Sequence, residues 1–243
     1  MRILLVSDYS APTGGVEIYL AQLRRLLREA GHEIELFTSA VGSASLRLGD
    51  RECWGSNQPH VNRLLQTFNP FTLLKLHEVI SDFKPQLVHL HLFLTQLSPS
   101  VLLGLQNVPV VYTAHMYRIA CPLGHRLLPD GQTCSERPDR ACLTHGCLPL
   151  PIWLIDMAQR RLLFRYLKHI DAVWANSQCT ARILNSAGFT VDRVQHYFLT
   201  TPHRDLPFPT SPPTAGFVGR LVPEKGVDIL LHAMQRVLVR LPS

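Results

Sequence analysis

The sequence contains no uninterrupted apolar run long enough to span a bilayer, although apolar residues make up 46% of its 243 residues. A membrane-spanning helix is therefore not expected. The opening residues, MRILLVSDYS, also lack the long apolar region and the small-residue cleavage site of a signal peptide. We expect a cytoplasmic protein. A peripheral position at the inner face of the membrane is the alternative.

Nucleic-acid-binding motifs are absent too, and the basic residues are scattered along the chain. Lys and Arg number 24 against 18 Asp and Glu, which gives a formal net charge of +6. Such a balance favours anionic partners. Phosphate-bearing small molecules or an anionic membrane surface fit this pattern better than nucleic acid does.

The dinucleotide fingerprint G-x-G-x-x-G is missing as well, and no acidic residue ends the second predicted strand, 33–38. These absences argue against a nicotinamide-dependent enzyme. Gly14 and Gly15 nevertheless lie at the start of the first predicted helix, where free N–H groups attract phosphate oxygens. A turn without a ligand is the alternative for this motif taken alone.

Strand and helix patterns alternate along the chain. RILLVS (2–7) is a continuous apolar run, which is typical of a strand covered on both faces. This order predicts an α/β fold with a doubly wound, parallel, Rossmann-like sheet. Residues 39–68 show no clear pattern. Further strands are predicted at 86–92, 108–115, 170–177 and 191–198, and helices at 14–31, 70–83, 94–105, 151–169 and 177–188.

A proline-rich stretch divides the chain into two predicted domains. LTTPHRDLPFPTSPP (199–213) has the composition of a linker. Residues 1–198 form the first Rossmann-like domain, with an irregular, cysteine-rich insertion at 116–150. TAGFVG (214–219) is predicted to resume as a strand, so 214–243 would begin a second, incomplete Rossmann-like domain.

Three predicted site residues follow strands of this fold. Ligands of open α/β sheets bind outside the carboxyl ends of the strands, and His115 ends one strand. Arg220 and Lys225 bracket the turn after the resumed strand, where two cations can hold a diphosphate and neutralise its developing charge. The alternatives are a structural polar role for His115 and a solvated ion pair between Arg220 and Glu224.

The motifs GGVEIYLAQLRRLLREAGHEIELFT, VYTAH and GFVGRLVPEKGVDILLHAM together resemble the retaining glycosyltransferases of family 4, which have the GT-B fold. The resemblance spans nearly the whole chain. It implies a hexosyltransferase-type enzyme of polysaccharide biosynthesis, with an acceptor-side N-terminal domain and a donor-side C-terminal domain. The partners implied are a nucleotide sugar and a glycan or lipid-linked acceptor.

The resemblance also implies roles for the candidate residues. Gly14 and Gly15 would border the donor phosphates, His115 would bond the donor sugar, and Arg220 with Lys225 would hold the diphosphate, so that no metal cofactor is required. The family's E-x7-E pair is absent. We therefore expect a truncated donor domain and little activity of this chain alone. The alternative is a non-catalytic module that binds an acceptor or docks a separate donor domain.

The cysteine segment (residues 116–150) contains four of the six cysteines, spaced C-x12-C-x7-C-x4-C, with His125 and His145 between them. Four soft ligands suit a tetrahedral structural zinc. The spacing lacks the paired C-x2-C of common zinc sites, so free thiols and redox-labile pairs stay open beside a metal. The four residues are Cys121, Cys134, Cys142 and Cys147.

The predicted helix 151–169 gathers basic side chains on one face, with aromatic residues beside them. Such a helix can lie on anionic lipid, and an ordinary surface helix with a buried apolar side is the alternative. The basic residues are Arg160, Arg161, Arg165 and Lys168. The sequence identifies neither the sugar, nor the nucleotide base, nor the acceptor.

Overall fold

The computed structural model describes residues 1–11, 14–41, 47–198 and 214–240. The chain forms two compact units, Met1–Leu199 and Thr200–Ser243. The predicted proline-rich linker, 199–213, lies outside the described residues.

The first unit contains a seven-stranded sheet in the order β3-β2-β1-β4-β5-β6-β7. All six neighbouring pairs are parallel. This is the doubly wound, Rossmann-like order, so the predicted fold class is confirmed for this unit. The strands are β1 (Arg2–Tyr9), β2 (Glu33–Ser39), β3 (Arg51–Cys53), β4 (Leu87–Leu90), β5 (Val110–Ala114), β6 (Ala172–Ala175) and β7 (Arg193–Val194).

Helices cover both faces of the sheet. Leu4 and Val6 of β1 enter the larger core cluster, whereas Ile3 and Leu5 pack with residues of the first helix, because successive side chains of a strand point to opposite faces. The helices of this unit are α1 (Gly15–Glu29), α2 (Pro59–Leu65), α3 (Pro70–Phe83), α4 (Ala141–Thr144), α5 (Leu150–Tyr166) and α6 (Gln178–Ser186).

The boundaries of α3 confirm a start signal read from the sequence. The Asn69 side chain accepts hydrogen bonds from the N–H groups of Phe71 and Thr72, and Pro70 is the first helical residue. Such a cap stabilises a helix by about 1 kcal/mol. The helix ends at Phe83, and the following Lys84 has a left-handed backbone (φ 48) and precedes Pro85.

Two regions differ from the sequence prediction. The pattern-free stretch 39–68 holds β3 and α2, both too short to show a clear periodicity. The helix predicted at 94–105 is realised only as a 3-10 helix, Pro99–Leu105. Residues before it bind a buried carboxylate with their N–H groups, as described below.

The cysteine segment is largely irregular, as predicted. Its regular structure consists of a 3-10 helix at Tyr117–Ile119, the four-residue α4 and one antiparallel bridge between Leu127 and Thr133. Turn hydrogen bonds of short range, such as Cys121 N–H to Tyr117 and Gly124 N–H to Cys121, fix most of its path.

The second unit contains no strand among its described residues, so the strand predicted at 214–219 is wrong for this chain. A strand needs a neighbour to satisfy its N–H and C=O groups, and Val218 is fully exposed. A 3-10 helix, Pro223–Lys225, leads into α7 (Val227–Arg240). No described residue of α7 is buried, and Ile229 and Val239 lie exposed on its surface.

Candidate functional site

The carboxyl ends of β1, β4 and β5 form the edge of the sheet where the candidate residues of the first unit lie. The strand order reverses beside β1, since β2 flanks it on one side and β4 on the other. Open α/β sheets bind ligands in the crevice at this switch point. His115 follows β5 directly, and the turn after β1 leads into α1.

Asp8 near the end of β1 organises the loop after β4. Its carboxylate is only 2% exposed and accepts backbone hydrogen bonds from Thr95 (3.0 Å), Gln96 (2.7 Å) and Leu97 (2.9 Å). The predicted helix begins only at Pro99, because the preceding Ser98 has a positive φ of 69 and a residue before proline disfavours helical backbone. Asp8 is a supporting residue that was not predicted from the sequence.

Gly14 and Gly15 lie at the start of α1, as predicted. A Cβ atom at Gly15 would meet no atom within 4 Å, so its surroundings are open. A Cβ atom at Gly14 would lie 2.9 Å from Oε2 of Glu17, whose carboxyl is buried against the helix start. Burial raises the pKa of Glu17, while hydrogen bonds from the N–H groups of Glu17 and Gly14 act in the opposite direction. The helix start therefore already holds one acidic group of the chain itself.

His115 belongs to a histidine cluster (His89, His91 and His115). His91 Nδ1 lies 2.7 Å from His115 Nε2, and the two rings stack with their centroids 5.0 Å apart. His89 packs on His91 at 4.1 Å between centroids, and its Nε2 lies 2.7 Å from Thr113 Oγ1 on β5. Three imidazoles thus line the carboxyl ends of two adjacent strands.

Tyr197 forms a hydrogen bond with the second ring nitrogen of His115. Its hydroxyl lies 2.6 Å from His115 Nδ1 and accepts a hydrogen bond of 3.2 Å from the Asn176 side chain. Tyr19 of α1 packs near both rings, with centroid distances of 5.6 Å to His115 and 5.0 Å to Tyr197. Both ring nitrogens of His115 are therefore engaged. Tyr197 is 45% exposed and His91 fully buried, so Tyr197 is the partner that a ligand can replace.

Burial keeps the histidine cluster neutral at neutral pH. It lowers the pKa of His89 to about 4 and that of His115 to about 3, where the nearby His89 adds to the effect. Burial likewise lowers the pKa of His91 well below its usual value. A neutral imidazole has one donor and one acceptor nitrogen, so His115 can hydrogen-bond a hydroxyl without carrying charge.

His89 and His91 were not predicted as site residues, although the sequence carries a signal for them. They alternate in LVHLHL at the end of a strand, and residues two apart on a strand lie on the same face. A pair at this spacing beside a histidine that ends the next parallel strand predicts a cluster. Tyr197 has no such signal, because its position depends on the path of the chain after β7.

Arg220 and Lys225 both belong to the second unit. The Arg220 side chain is 75% exposed, and its guanidinium lies 3.5 Å from Glu224 Oε1, which is the solvated ion pair considered as the alternative. Lys225 ends the 3-10 helix before Gly226, whose φ of 65 favours glycine. Exposed ion pairs of this kind contribute little stability. The role of both cations in holding a diphosphate stays a prediction.

The predicted basic face of helix α5 needs a correction. Arg160 is 4% exposed and donates hydrogen bonds to the carbonyls of Ile119 (2.8 Å) and Arg118 (2.9 Å), so it points into the unit. The guanidinium satisfies carbonyls that the irregular segment leaves without strand partners. The exposed basic residues are Arg161, Arg165 and Lys168. Within the described residues, no helix has the length and apolar character needed to cross a membrane.

Comparison with known proteins gives consistent results. Two D-inositol 3-phosphate glycosyltransferases, from Corynebacterium aurimucosum and Corynebacterium diphtheriae, are 26% and 23% identical to this chain over 267 and 264 residues. Both alignments cover 100% of this chain and 60% of the relative, so the chain spans about 60% of the length of these curated relatives.

A solved structure of sucrose-phosphate synthase from Thermosynechococcus elongatus is similar to this chain, with a TM-score of 0.45 and 16% identity. The match covers 79% of this chain and 47% of that chain. The family model of Glycosyltransferase Family 4 matches residues 13–196. These residues include α1, the histidine cluster and the six strands β2 to β7. This protein belongs to glycosyltransferase family 4.

Proposed function

We propose that this protein contributes the acceptor-side domain and the start of the donor-side domain of a retaining glycosyltransferase. The enzyme moves a sugar from a nucleotide-sugar donor to a glycan or lipid-linked acceptor. The observation that carries the proposal is the family match over residues 13–196, because it includes the histidine cluster at the switch point of the sheet.

His115 bonds a hydroxyl of the donor sugar in this proposal. Its Nδ1 is engaged by the partly exposed Tyr197, whereas its Nε2 is engaged by the buried His91. The sugar hydroxyl therefore takes the place of the Tyr197 hydroxyl, and His91 holds the ring in orientation. A hydrogen bond exchanged for another of the same kind costs little free energy.

The start of α1 borders the donor phosphates. Gly15 leaves open space beside the helix N–H groups, where an anion is favoured by the helix dipole. The buried Glu17 carboxyl competes for the same N–H groups. A bound phosphate would therefore favour the protonated form of Glu17, or its movement away from the helix start.

Arg220 and Lys225 hold the diphosphate leaving group. Their charges neutralise the negative charge that develops when the bond between sugar and phosphate breaks, so that no metal cofactor is required. The acceptor attacks from the same face that the diphosphate leaves, and a diphosphate oxygen takes the acceptor proton. Arg220 exchanges its exposed ion pair with Glu224 for the diphosphate.

The acceptor is a polar or lipid-linked molecule that reaches the first unit. The curated relatives are named for D-inositol 3-phosphate, so this phosphorylated polyol is a suitable first acceptor to test. A lipid-linked acceptor would bring an anionic membrane near the protein. Arg161, Arg165 and Lys168 are exposed on α5 and the turn after it, and they can contact such a surface.

The test uses the complete open reading frame that encodes this chain, with a panel of nucleotide sugars and release of nucleoside diphosphate as the readout. We expect turnover with at least one donor. His115→Ala should lower turnover about 100-fold, in line with the loss of one hydrogen-bonding side chain positioned at the reacting sugar. His77→Ala, an exposed histidine of α3, is the matched control and should leave turnover unchanged.

Arg220→Ala and Lys225→Ala separate the two halves of the proposal. Each should reduce donor turnover far more than acceptor binding. Turnover that survives both changes would remove the diphosphate role, and absence of donor binding by the complete protein would overturn the function itself.

The alternative function is a non-catalytic module that binds an acceptor or docks a separate donor domain. The observation in its favour is the second unit, whose described residues form no strand and leave α7 without a buried residue. The same screen distinguishes this module from an enzyme. Acceptor binding without turnover by the complete open reading frame, restored by a separately expressed donor domain, would support this alternative.

A further inference from the structure

Four cysteines of the cysteine segment surround one small cavity. Its volume of about 20 Å³ is close to the space of a single water molecule. These cysteines span residues 121–147 in the sequence, yet the fold brings them to the same walls. The cavity is also lined by His145 and Glu136, and the four cysteines are Cys121, Cys134, Cys142 and Cys147.

The sulfurs lie within electrostatic range of one another. Burial, together with smaller contributions from the other three thiols, raises the pKa of Cys142 to about 11, while Arg160 acts in the opposite direction. All four cysteines have free thiols, so no disulfide joins them. The cavity is therefore lined by four free thiols.

Buried positive charge lies behind this cavity. Arg160 is nearly fully buried and Arg118 lies beside it, and both interact electrostatically with Cys121. The buried Asp156 is the carboxylate that these guanidiniums and Arg63 share, and Arg63 pairs with it at 3.4 Å. Asp8 also attracts Arg118, so two buried carboxylates face three guanidiniums, and positive charge is in excess beside the cavity. The Nε atoms of Arg118 and Arg160 also have no hydrogen-bond partner.

We propose that Cys121, Cys134, Cys142 and Cys147 bind one structural zinc ion as four thiolates. Zinc favours closed tetrahedral sites of four sulfurs in structural roles. Four thiolates and Zn²⁺ carry a net charge of minus two, which the buried guanidiniums of Arg118 and Arg160 favour through their interaction with Cys121. Two disulfides would be neutral and would gain nothing from these guanidiniums.

Binding requires the sulfurs to draw together. As the side chains stand, no group of three or more His, Cys, Asp or Glu residues in the described part of the chain is placed to hold a metal ion. Cys142 lies in the short α4 and the other three cysteines lie on irregular backbone, and a change of χ1 between staggered positions would bring the sulfurs closer together. The metal would then join turns that are distant from one another in the sequence.

The site has a consequence for the neighbouring histidine cluster. The cysteine segment begins at Met116, directly after His115, and Arg118 and Ile119 accept hydrogen bonds from Arg160 through their carbonyls. A metal that fixes Cys121 also fixes this turn. The proposal does not depend on the proposed function, since zinc content is measured without turnover.

The test measures zinc in the full chain, purified under reducing conditions without chelator, by elemental analysis and native mass spectrometry. We expect one zinc per chain. Cys134→Ser and Cys142→Ser should each lose it, whereas Cys179→Ser and Cys53→Ser, outside the cavity, should retain it. A folded chain without zinc, or zinc kept by the Cys134→Ser/Cys142→Ser double variant, would overturn the proposal.

A second measurement covers variants that fail to fold. Cobalt(II) replaces zinc in the unsubstituted chain, and four thiolate ligands give intense sulfur-to-cobalt charge-transfer absorption with tetrahedral bands. Absence of these bands would overturn the four-thiolate site. A native mass lowered by two hydrogens for each cysteine pair, with no metal bound, would assign disulfides instead.

Discussion

The histidine cluster and the cysteine segment adjoin in the chain at residues 115 and 116, yet different forces place their side chains. The histidines are set by the parallel register of β4 and β5, in which His89 pairs with Val111 and Leu90 with Tyr112. The cysteines lie among turns held by short-range hydrogen bonds, with a single bridge and a four-residue helix. A sheet positions side chains through its backbone, whereas a loop depends on what its side chains bind.

The largest expected effect concerns the buried histidines. Their pKa values in the folded protein lie below the unfolded value of about 6.5, so their stabilisation is complete above that pH and is lost as the pH falls toward about 4. Each histidine should cost about 1.4 kcal/mol per pH unit in this window. Urea unfolding followed by circular dichroism at a series of pH values measures the slope.

His89→Gln should make that slope shallower, and His77→Gln should leave it as in the unsubstituted protein. Equal slopes in all three proteins would show that the sheet does not hold these rings in their neutral form.

The next effect tests the carboxylate that supports the cluster. Asp8→Ala leaves three backbone N–H groups without their acceptor, and we expect the free energy of unfolding to fall by about 3 kcal/mol or more. Chemical denaturation is the measurement. Asp130→Ala removes an exposed carboxylate that accepts one backbone hydrogen bond, from Gln132, and should change stability by less than about 1 kcal/mol. Similar losses in both variants would contradict the role given to Asp8.

The cysteine segment should respond to chelation where the sheet does not. Removal of the proposed zinc should raise amide exchange of backbone N–H groups in 116–150 about 100-fold, because the segment would open locally without these cross-links. Amides of β4 and β5 should exchange as before. Hydrogen–deuterium exchange with mass spectrometry resolves the two regions, and a uniform change across both would erase the contrast between them.

The smallest expected effect concerns Tyr197. Tyr197→Phe removes one hydrogen bond to His115, which should lower the free energy of unfolding by about 1 kcal/mol. The same change frees His115 Nδ1 for the donor sugar, so the KM for the donor in the complete protein should fall by about fivefold. Tyr166→Phe serves as the matched control. A higher KM in Tyr197→Phe would show that the hydroxyl helps to bind the donor.

The parts of the fold that were predicted from sequence are those with strong local patterns. β1 is a continuous apolar run, α1 has a clear apolar face, and Asn69-Pro70 marks the start of α3. β3 was not predicted, because three residues at the edge of a sheet show no periodicity. The helix predicted near 94–105 is shortened because Ser98 has a positive φ of 69 directly before Pro99, a backbone restriction that the apolar pattern does not show.

The site was predicted only in part for a similar reason. The position of His115 follows from the strand that it ends, but the engagement of both its nitrogens requires His91 and Tyr197, which come from other elements. The burial of Arg160 reverses the sequence interpretation, because helical periodicity does not tell which part of a basic face meets an irregular segment with open carbonyls. The strand expected at 214–219 is not formed, and Val218 within it is fully exposed.

The hydrogen-bonded line from His91 through His115 to Tyr197 offers a spectroscopic probe. Imidazole nitrogens report their tautomer in nitrogen-15 NMR spectra, and an imidazole proton shielded from solvent exchanges slowly enough to be seen. Histidine-labelled protein would thus reveal ligands that displace the tyrosine hydroxyl. Candidate sugars and inhibitors could be ranked this way before any reaction has been reconstituted.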